Sequence, residues 1–120
     1  MKGRVFVVHW RLSETRKFVK KLKEEGWSVT AESEQVRRAF ERIKGLQPDA
    51  VVIYLNRLPK RGREVGFTLK AIKMTNHIPI VFVNGHSKIK KWASKRVPDA
   101  IFSTSKELSK TLERYSKDEN

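Results

Sequence analysis

The sequence of 120 residues lacks cysteine altogether, and it contains only four prolines and six glycines. Without cysteine there are no disulfide bonds, no thiol chemistry and no zinc sites built from thiolates. No apolar run approaches the ~20 residues that a helix needs to cross a bilayer. A signal peptide is not expected either, because the apolar run Val5–Val8 is short and Arg11 and Glu14 follow it closely. We therefore expect a soluble cytoplasmic protein with a single domain at residues 1–116 and a frayed polar tail at 117–120.

Acidic residues are scarce as well. The chain has 13 Asp and Glu against 27 Lys and Arg, which gives a net charge of +14. Such an excess predicts attraction to nucleic acid and other polyanions, but it does not determine a fold. The many Lys, Arg and Glu residues, together with only two Gln, also resemble the composition of heat-adapted proteins.

The chain is organised around the stretch Pro48–Pro59. Within it, Ala50–Leu55 is an unbroken apolar run rich in Val, Ile and Tyr, which predicts a strand covered on both faces. Apolar or β-branched runs elsewhere predict four further strands. These lie at Arg4–Val8, Trp27–Thr30, Ile80–Val83 and Ala100–Phe102.

Helical patterns fill the segments between the predicted strands. We expect Gly26 and Gly45 to end the first two helices, and we expect a loop at Asn56–Arg63 followed by a helix at Glu64–Thr75. The other helices are predicted to begin at the N-caps Ser13, Ser33, Ser87 and Ser105. The residues predicted to face the sheet are Phe18, Val19, Leu22, Val36, Ala39, Phe40, Ile43, Phe67, Leu69, Ile72, Ile89, Trp92, Ala93, Leu108, Leu112 and Tyr115.

Strands and helices that alternate in this way predict an α/β fold. Short connections favour a parallel sheet with right-handed crossovers and helices on both faces. We expect a doubly wound sheet of five strands in the order 2-1-3-4-5, by analogy with flavodoxin-like folds.

Four segments resemble the response-regulator receiver (CheY-like) domain family. RVFVVHW is similar to the first strand of that family, PDAVVIYLNRLP to the third, IPIVFVNG to the fourth and PDAIFSTS to the fifth. In receivers an Asp at the end of the third strand accepts a phosphoryl group. Acids after the first strand hold Mg²⁺, and a Lys neutralises the phosphoryl oxygens.

The resemblance places other residues at these positions. The acid pair falls on His9 and Trp10, and the phosphoacceptor falls on Tyr54, or on Leu55 when counted back from Pro59. Asn84 stands at the switch Ser or Thr, Thr104 at the Lys, and Ser105 at the proline that follows it. The resemblance therefore implies a degenerate pseudo-receiver. It would be a phosphorylation-independent interaction module in signal transduction that is not an enzyme and needs no metal or cofactor.

The resemblance also implies where partners bind. In receivers the face formed by the fourth helix, fifth strand and fifth helix mediates dimerisation and output. Here it would serve a protein partner or a homodimer, and it would include Trp92, Lys95, Arg96, Glu107 and Lys110.

A second hypothesis comes from the placement of the basic residues. Residues 50–98 contain eleven bases and a single acid, Glu64. At the carboxyl edge of the sheet, next to His9, Asn84 and Thr104, such a rim predicts binding of nucleic acid, a nucleotide or a phosphorylated protein. The candidate anion-binding residues are Arg57, Lys60, Arg61, Arg63, His86, Lys88, Lys90 and Lys91. The alternative is that these bases form an ordinary solvated surface.

Some residues have more ordinary interpretations. His9 and His86 make a poor metal site or catalytic pair without a third ligand, and His77 belongs to the opposite edge. Tyr54 is expected to plug the former site. Trp10 either fills space there or is exposed as an anchor for a partner. The glycines of LPKRGREVG are expected to serve turns, because the spacing matches no phosphate-binding loop.

Overall fold

The computed structural model describes residues 1–117, in which five strands alternate with five helices. The strands are β1 (Gly3–Val8), β2 (Trp27–Glu32), β3 (Ala50–Tyr54), β4 (Ile80–Val83) and β5 (Ile101–Ser103). The helices are α1 (Leu12–Glu24), α2 (Val36–Leu46), α3 (Pro59–Ala71), α4 (Ser87–Arg96) and α5 (Leu108–Leu112), followed by a 3₁₀ turn at Glu113–Tyr115. Every helix in this range is too short or too polar to pass through a membrane.

The strands form one parallel sheet in the order β2-β1-β3-β4-β5. This confirms the predicted α/β fold and its strand order. The strand β3 lies at the centre, with Val52 opposite both Val7 of β1 and Val81 of β4. All five residues of β3 are buried, as expected for a strand covered by helices on both faces.

Alternate residues of the sheet enter two separate cores. Val51 and Ile53 of β3 join the core under α2, α3 and α4, while Val52 and Tyr54 join the core under α1 and α5. This alternation is the period of two that a strand imposes on its side chains. The opposite orientations of neighbouring residues explain why Tyr54, the last residue of β3, lies beneath α1 and α5.

Lys117, the last described residue, contacts the segments that precede β1 and β3. The backbone N–H of Lys117 donates to the carbonyl of Lys2, and its Nζ lies 3.4 Å from Asp49 Oδ1. The rest of the predicted tail, 118–120, lies outside the described residues.

The helix α3 begins earlier than the sequence suggested. It starts at Pro59, a residue suited to the first helical position, so the predicted loop to Arg63 was wrong and only residues 55–58 connect it to β3. The expected role of the glycines was also wrong, because Gly62 and Gly66 lie inside α3, against the sheet. A Cβ atom on Gly62 would lie 2.8 Å from Ile53 Cγ2, and one on Gly66 would lie 3.0 Å from Phe82 Cζ.

These glycines also determine which face of α3 is turned inward. The buried residues are Gly62, Val65, Gly66 and Leu69, spaced as one face of a helix. Phe67 is therefore 46% exposed and Ile72, the residue after α3, is 38% exposed. The prediction that both face the sheet was wrong, whereas Leu69 is buried as expected.

The predicted serine caps were wrong at all four helices. None of the helices in residues 1–117 has a side-chain hydrogen bond from its N-cap residue, and Ser13 and Ser87 lie within the first turns of α1 and α4. Before α2 the buried carboxylate of Glu32 accepts the backbone N–H groups of Glu34 and Gln35, at 3.0 and 3.1 Å. Glu32, at the end of β2, thus binds the free N–H groups before α2, which is the role predicted for Ser33.

The ends of two helices also differ from the prediction. The helix α2 continues past Gly45 to Leu46, and Gln47 adopts the left-handed conformation with φ 47°. The last helix begins at Leu108 and not at Ser105. Ahead of it, Thr104 Oγ1 accepts the N–H of Glu107 at 3.2 Å.

The close approach of α3 to β3 predicts opposite effects for two Gly→Ala substitutions. Gly62→Ala should lower the free energy of unfolding by about 1–3 kcal/mol, because its methyl group would clash with Ile53. Gly45→Ala should raise it by about 0.5–1 kcal/mol, because no atom lies near its Cβ and alanine favours a helix. Urea denaturation of both variants measures the difference, and equal effects would contradict the packing described for α3.

Candidate functional site

The carboxyl ends of the strands bring together the residues predicted for the degenerate site. His9 follows β1, Tyr54 ends β3, Asn84 follows β4 and Thr104 follows β5. This is the edge where ligands bind in open α/β sheets. Here its centre is closed, since His9 and Tyr54 are buried to 0% and 1% exposure.

Three aromatic rings fill the centre of this edge, and we call them the ring cluster: His9, Phe18 and Tyr54. Phe18 of α1 stacks on Tyr54, with ring centroids 4.3 Å apart. His9 lies 5.0 Å from Tyr54 and 5.6 Å from Phe18, with tilted rings. Phe18 was predicted to face the sheet, but no pattern in the sequence indicated that its partner there would be Tyr54.

Hydrogen bonds and contacts hold His9 on several sides. Its Nδ1 accepts the N–H of Arg11 at 3.1 Å, and its carbonyl accepts the hydroxyl of Thr15 at 3.1 Å. Its Nε2 lies 2.8 Å from Glu14 Oε2, although that N–H is not aligned for a hydrogen bond. Because Nδ1 accepts a hydrogen bond, the proton of the neutral ring is on Nε2.

Burial decides the charge of His9. Loss of solvent lowers the pKa of the imidazole, and the nearby charges of Arg57 and Arg11 act in the same direction. Glu14 opposes them and raises the pKa, but it does not outweigh burial. His9 is therefore held as the neutral imidazole.

Tyr54 is held as a neutral phenol. Burial raises the pKa of its hydroxyl, and the carboxylate of Glu25 raises it further. The residues around Tyr54 include Glu25, Ser105 and Ser109, and they line a cavity of about 10 Å³, which is about the size of one water molecule. Tyr54 is therefore neither accessible to a reactant nor ionised, and it packs as the predicted plug would.

The polar residues after β4 and β5 are used to connect the two loops. Asn84, with φ 63°, donates from Nδ2 to Ser105 Oγ at 2.7 Å and accepts the Ser105 N–H at 3.1 Å. The hydroxyl of Thr104 donates to Glu107 Oε1 at 3.1 Å. These groups have protein partners, so the edge offers few polar atoms to a ligand.

Trp10 fills space and is not an exposed anchor. It is 9% exposed and belongs to the core under α2, α3 and α4. The guanidinium of Arg61 lies 5.6 Å from the centre of its ring, which is within the range of a cation–π contact.

The predicted anion-binding residues lie mostly around the outside of this edge. Arg57 is close enough to His9 to lower its pKa. Arg63 lies over Trp92 of α4, with the guanidinium carbon 3.2 Å from the ring centre, and Lys90 is half-buried. The remaining members are exposed, and we call them the basic surface: Arg57, Lys60, Arg61, His86, Lys88 and Lys91.

The bases of α3 and α4 lack acidic partners. Between described residues, the acids that form ion pairs are Glu14, Glu32, Glu34, Asp49 and Glu113. Their partners lie in α2, in the segments that flank β1 and at residue 117, and none is a base of α3 or α4. The positive charge of this side is therefore not neutralised within the described structure.

Residues 1–117 contain no group of three His, Asp or Glu residues arranged to hold a metal ion. His77 and His86 are both exposed, whereas His9 is buried. The pairing of His9 with a second histidine thus has no support in the geometry around His9, whose neighbours are aromatic rings, Arg11 and Glu14.

Neither a family model nor a curated protein sequence matches the chain. Solved structures do match in fold. The chemotaxis protein CheY4 of Vibrio cholerae has a TM-score of 0.80 at 20% sequence identity, over 96% of this chain and 99% of that one. The receiver domain of a signal transduction histidine kinase from Syntrophus aciditrophicus has a TM-score of 0.77 at 16% identity, over 94% and 89%.

A third similar structure is the receiver domain of a modulated diguanylate cyclase from Desulfovibrio desulfuricans. Its TM-score is 0.74 at 18% identity, over 96% of this chain and 94% of that one. Similarity at these identities concerns the fold alone. The chain therefore has the fold of response-regulator receiver domains, as the four strand segments suggested.

The neutral state of His9 predicts how stability depends on pH. The unfolded chain takes up a proton at this residue below a pH of about 6.5, the ordinary pKa of histidine, whereas the folded protein resists protonation because the pKa of His9 is lowered. Its contribution to the free energy of unfolding is present above pH 6.5 and is lost as pH falls toward the folded pKa, by at most about 1.4 kcal/mol per pH unit.

Urea denaturation between roughly pH 7.5 and pH 5 measures this dependence, because histidine side chains change charge in about that range. His9→Gln should reduce the slope, while His86→Gln, at an exposed position, serves as the control and should leave it unchanged. The same slope in wild type and His9→Gln would mean that His9 is not held neutral.

Proposed function

We propose that this chain is a phosphorylation-independent pseudo-receiver, a receiver-fold domain that acts as a regulatory protein-interaction module in signal transduction. The observation that carries the proposal is the ring cluster. A buried phenol, a buried neutral imidazole and a phenylalanine stand where receivers carry out phosphotransfer.

Each chemical requirement of aspartyl phosphorylation is unmet by the residues present. The nucleophile would have to be Tyr54 or Leu55, which are both 1% exposed. Mg²⁺ prefers oxygen ligands, but His9 and Trp10 offer none from their side chains. Glu14, a carboxylate that contacts His9, also lies 3.7 Å from Arg11.

The same geometry supports a role in binding and not in catalysis. The residues in the ring cluster whose pKa values are shifted, His9 and Tyr54, are closed off from solvent, so a substrate does not reach them. Such a module would work through its surface, in the cytoplasm. The face of α4, β5 and α5, including Lys95, Arg96 and Lys110, remains the predicted interface for a partner or a homodimer.

Nucleic-acid or phosphate-ligand binding is the second candidate. It is favoured by one observation, the absence of acidic partners for the bases of α3 and α4 among the described residues. Unneutralised bases on one face are the electrostatic pattern of proteins that bind phosphate backbones.

The main proposal predicts that the chain takes up no phosphoryl group from acetyl phosphate and Mg²⁺, because no accessible carboxylate stands at the end of β3. Intact-protein mass spectrometry measures the uptake. A receiver domain with its aspartate, treated in parallel, is the positive control. A phosphoryl group on any residue of the edge, including Tyr54, would overturn phosphorylation independence.

The two candidates predict different binding to a single-stranded oligonucleotide. If the basic surface is ordinary solvated surface, binding should be no tighter than non-specific binding, about 10⁻⁴–10⁻⁶ M near physiological salt. Replacing Lys60, Lys88 and Lys91 with alanine should then change it by only a few fold. Tighter binding that the triple variant loses, with a smaller salt slope, would favour the second candidate. Fluorescence anisotropy at two salt concentrations measures both quantities.

A further inference from the structure

An apolar groove lies between the first turn of α3 and the helix α4, and we call it the α3–α4 groove. Its volume is about 590 Å³. The floor is formed by Leu58, Pro59, Ile89 and Trp92. Lys60, Arg61 and Lys88 complete the lining, and all three of these bases are exposed.

The backbone holds an apolar side chain open to solvent at this groove. Leu58 adopts a left-handed conformation, with φ 43° and ψ 57°, although it is bulky and precedes a proline. Both properties disfavour that conformation. Its side chain is nevertheless 52% exposed. Strained residues of this kind concentrate at functional sites.

Arg63 holds Trp92 in place from one side. The guanidinium of Arg63 covers its ring at 3.2 Å from the ring centre. Tryptophan and arginine are both among the residue types that contribute most to binding energy at protein interfaces. The groove thus has a preformed anchor for an apolar side chain.

The charge around the groove specifies the charge of its occupant. The residues that line it include three bases and no acid. The comparable apolar groove between α1 and β2 is also lined by three bases, Arg16, Lys20 and Lys23, but Glu24 offsets one of them. Charge complementarity therefore assigns an acidic occupant to the α3–α4 groove, because the charged residues that line it are all bases.

An acidic peptide fits these contacts better than nucleic acid does. Bases of single strands stack on open aromatic faces, and Trp92 is the one aromatic residue that lines the groove, with Arg63 already on one face of its ring. The rest of the floor, Leu58, Pro59 and Ile89, is aliphatic. Aliphatic grooves accept the apolar side chains of amphipathic helices.

We infer that the α3–α4 groove docks an acidic amphipathic segment of a partner protein. Apolar side chains of that segment sit against Leu58, Ile89 and Trp92, and its carboxylates pair with Lys60, Arg61 and Lys88. The inference rests on the proposed function as an interaction module, to which it adds the surface and the chemistry of the partner.

The test is a selection from a library of random peptides of about 15 residues, the length of a short helix, displayed against the full chain. The selected sequences should combine Asp or Glu with apolar residues at helical spacing. A labelled synthetic copy of the best peptide then serves as the probe in anisotropy measurements at about 0.15 M salt.

Two matched double variants locate the binding site. Leu58→Asp with Lys88→Glu alters the groove, and both side chains are exposed. Asp also tolerates the left-handed conformation, so the variant should fold. Leu12→Asp with Lys20→Glu makes the same changes at the α1–β2 groove, where Leu12 is 51% exposed. The first should weaken peptide binding by at least about tenfold, and the second by less than about twofold.

Three results would overturn the inference. The first is a selection that yields no binding peptide, or none that is acidic and apolar, and the second is a peptide that binds both variants equally. In the latter case binding lies elsewhere, and the proposed interaction module stands without this groove. The third is a single-stranded oligonucleotide that binds more tightly than the peptide and whose binding is weakened by Leu58→Asp with Lys88→Glu. The groove would then be a nucleic-acid site. Phosphoryl uptake from acetyl phosphate, by contrast, would overturn the proposed function and not the groove.

Discussion

Burial of β3 on both faces is the constraint on which the rest of the structure depends. Every residue of that strand is buried, so each of its two faces requires a helical layer that excludes water. On one face α3 approaches so closely that Gly62 meets the side chain of Ile53. On the other face Tyr54 lies under α1 and α5, where Phe18 stacks on it. The tight packing of α3 and the closed carboxyl edge are both consequences of this one strand.

The ring cluster changes the electrostatic character of that edge. Neighbouring carboxylates at a buried site repel each other, and they need a cation or a proton to coexist. A neutral imidazole and a neutral phenol need neither, because burial itself favours their uncharged forms. Asn84 and Ser105 then join the loops after β4 and β5 through two hydrogen bonds. The buried side chains at the centre of this edge, His9 and Tyr54, are therefore both uncharged.

Charge is instead carried on the outside, on α3 and α4. Some acids elsewhere are paired with neighbouring bases, as Glu32 is with Arg38 and Arg42. The bases of α3 and α4 have no such partners among the described residues, and they surround aromatic and aliphatic side chains. The sequence showed the bases as a cluster but gave no aromatic residues interleaved with them. Trp92 and Phe67 come beside Arg63 and Arg96 only when α3 and α4 pack together.

The sequence by itself determined the strands, their order and the class of fold, because runs such as Ala50–Leu55 are long, apolar and bounded by turn residues. Residue types alone also predicted that the positions matching a receiver's phosphotransfer site lack the required chemistry, and this stays a prediction. Local contacts that depend on partners from distant segments were decided only by the tertiary structure. Position 62 requires a glycine because Ile53 leaves no room for a Cβ atom, and Glu32 binds the start of α2 because β2 places its carboxylate there. Patterns along the chain record which residues are apolar, whereas the neighbour that each one meets is fixed only when the helices pack on the sheet.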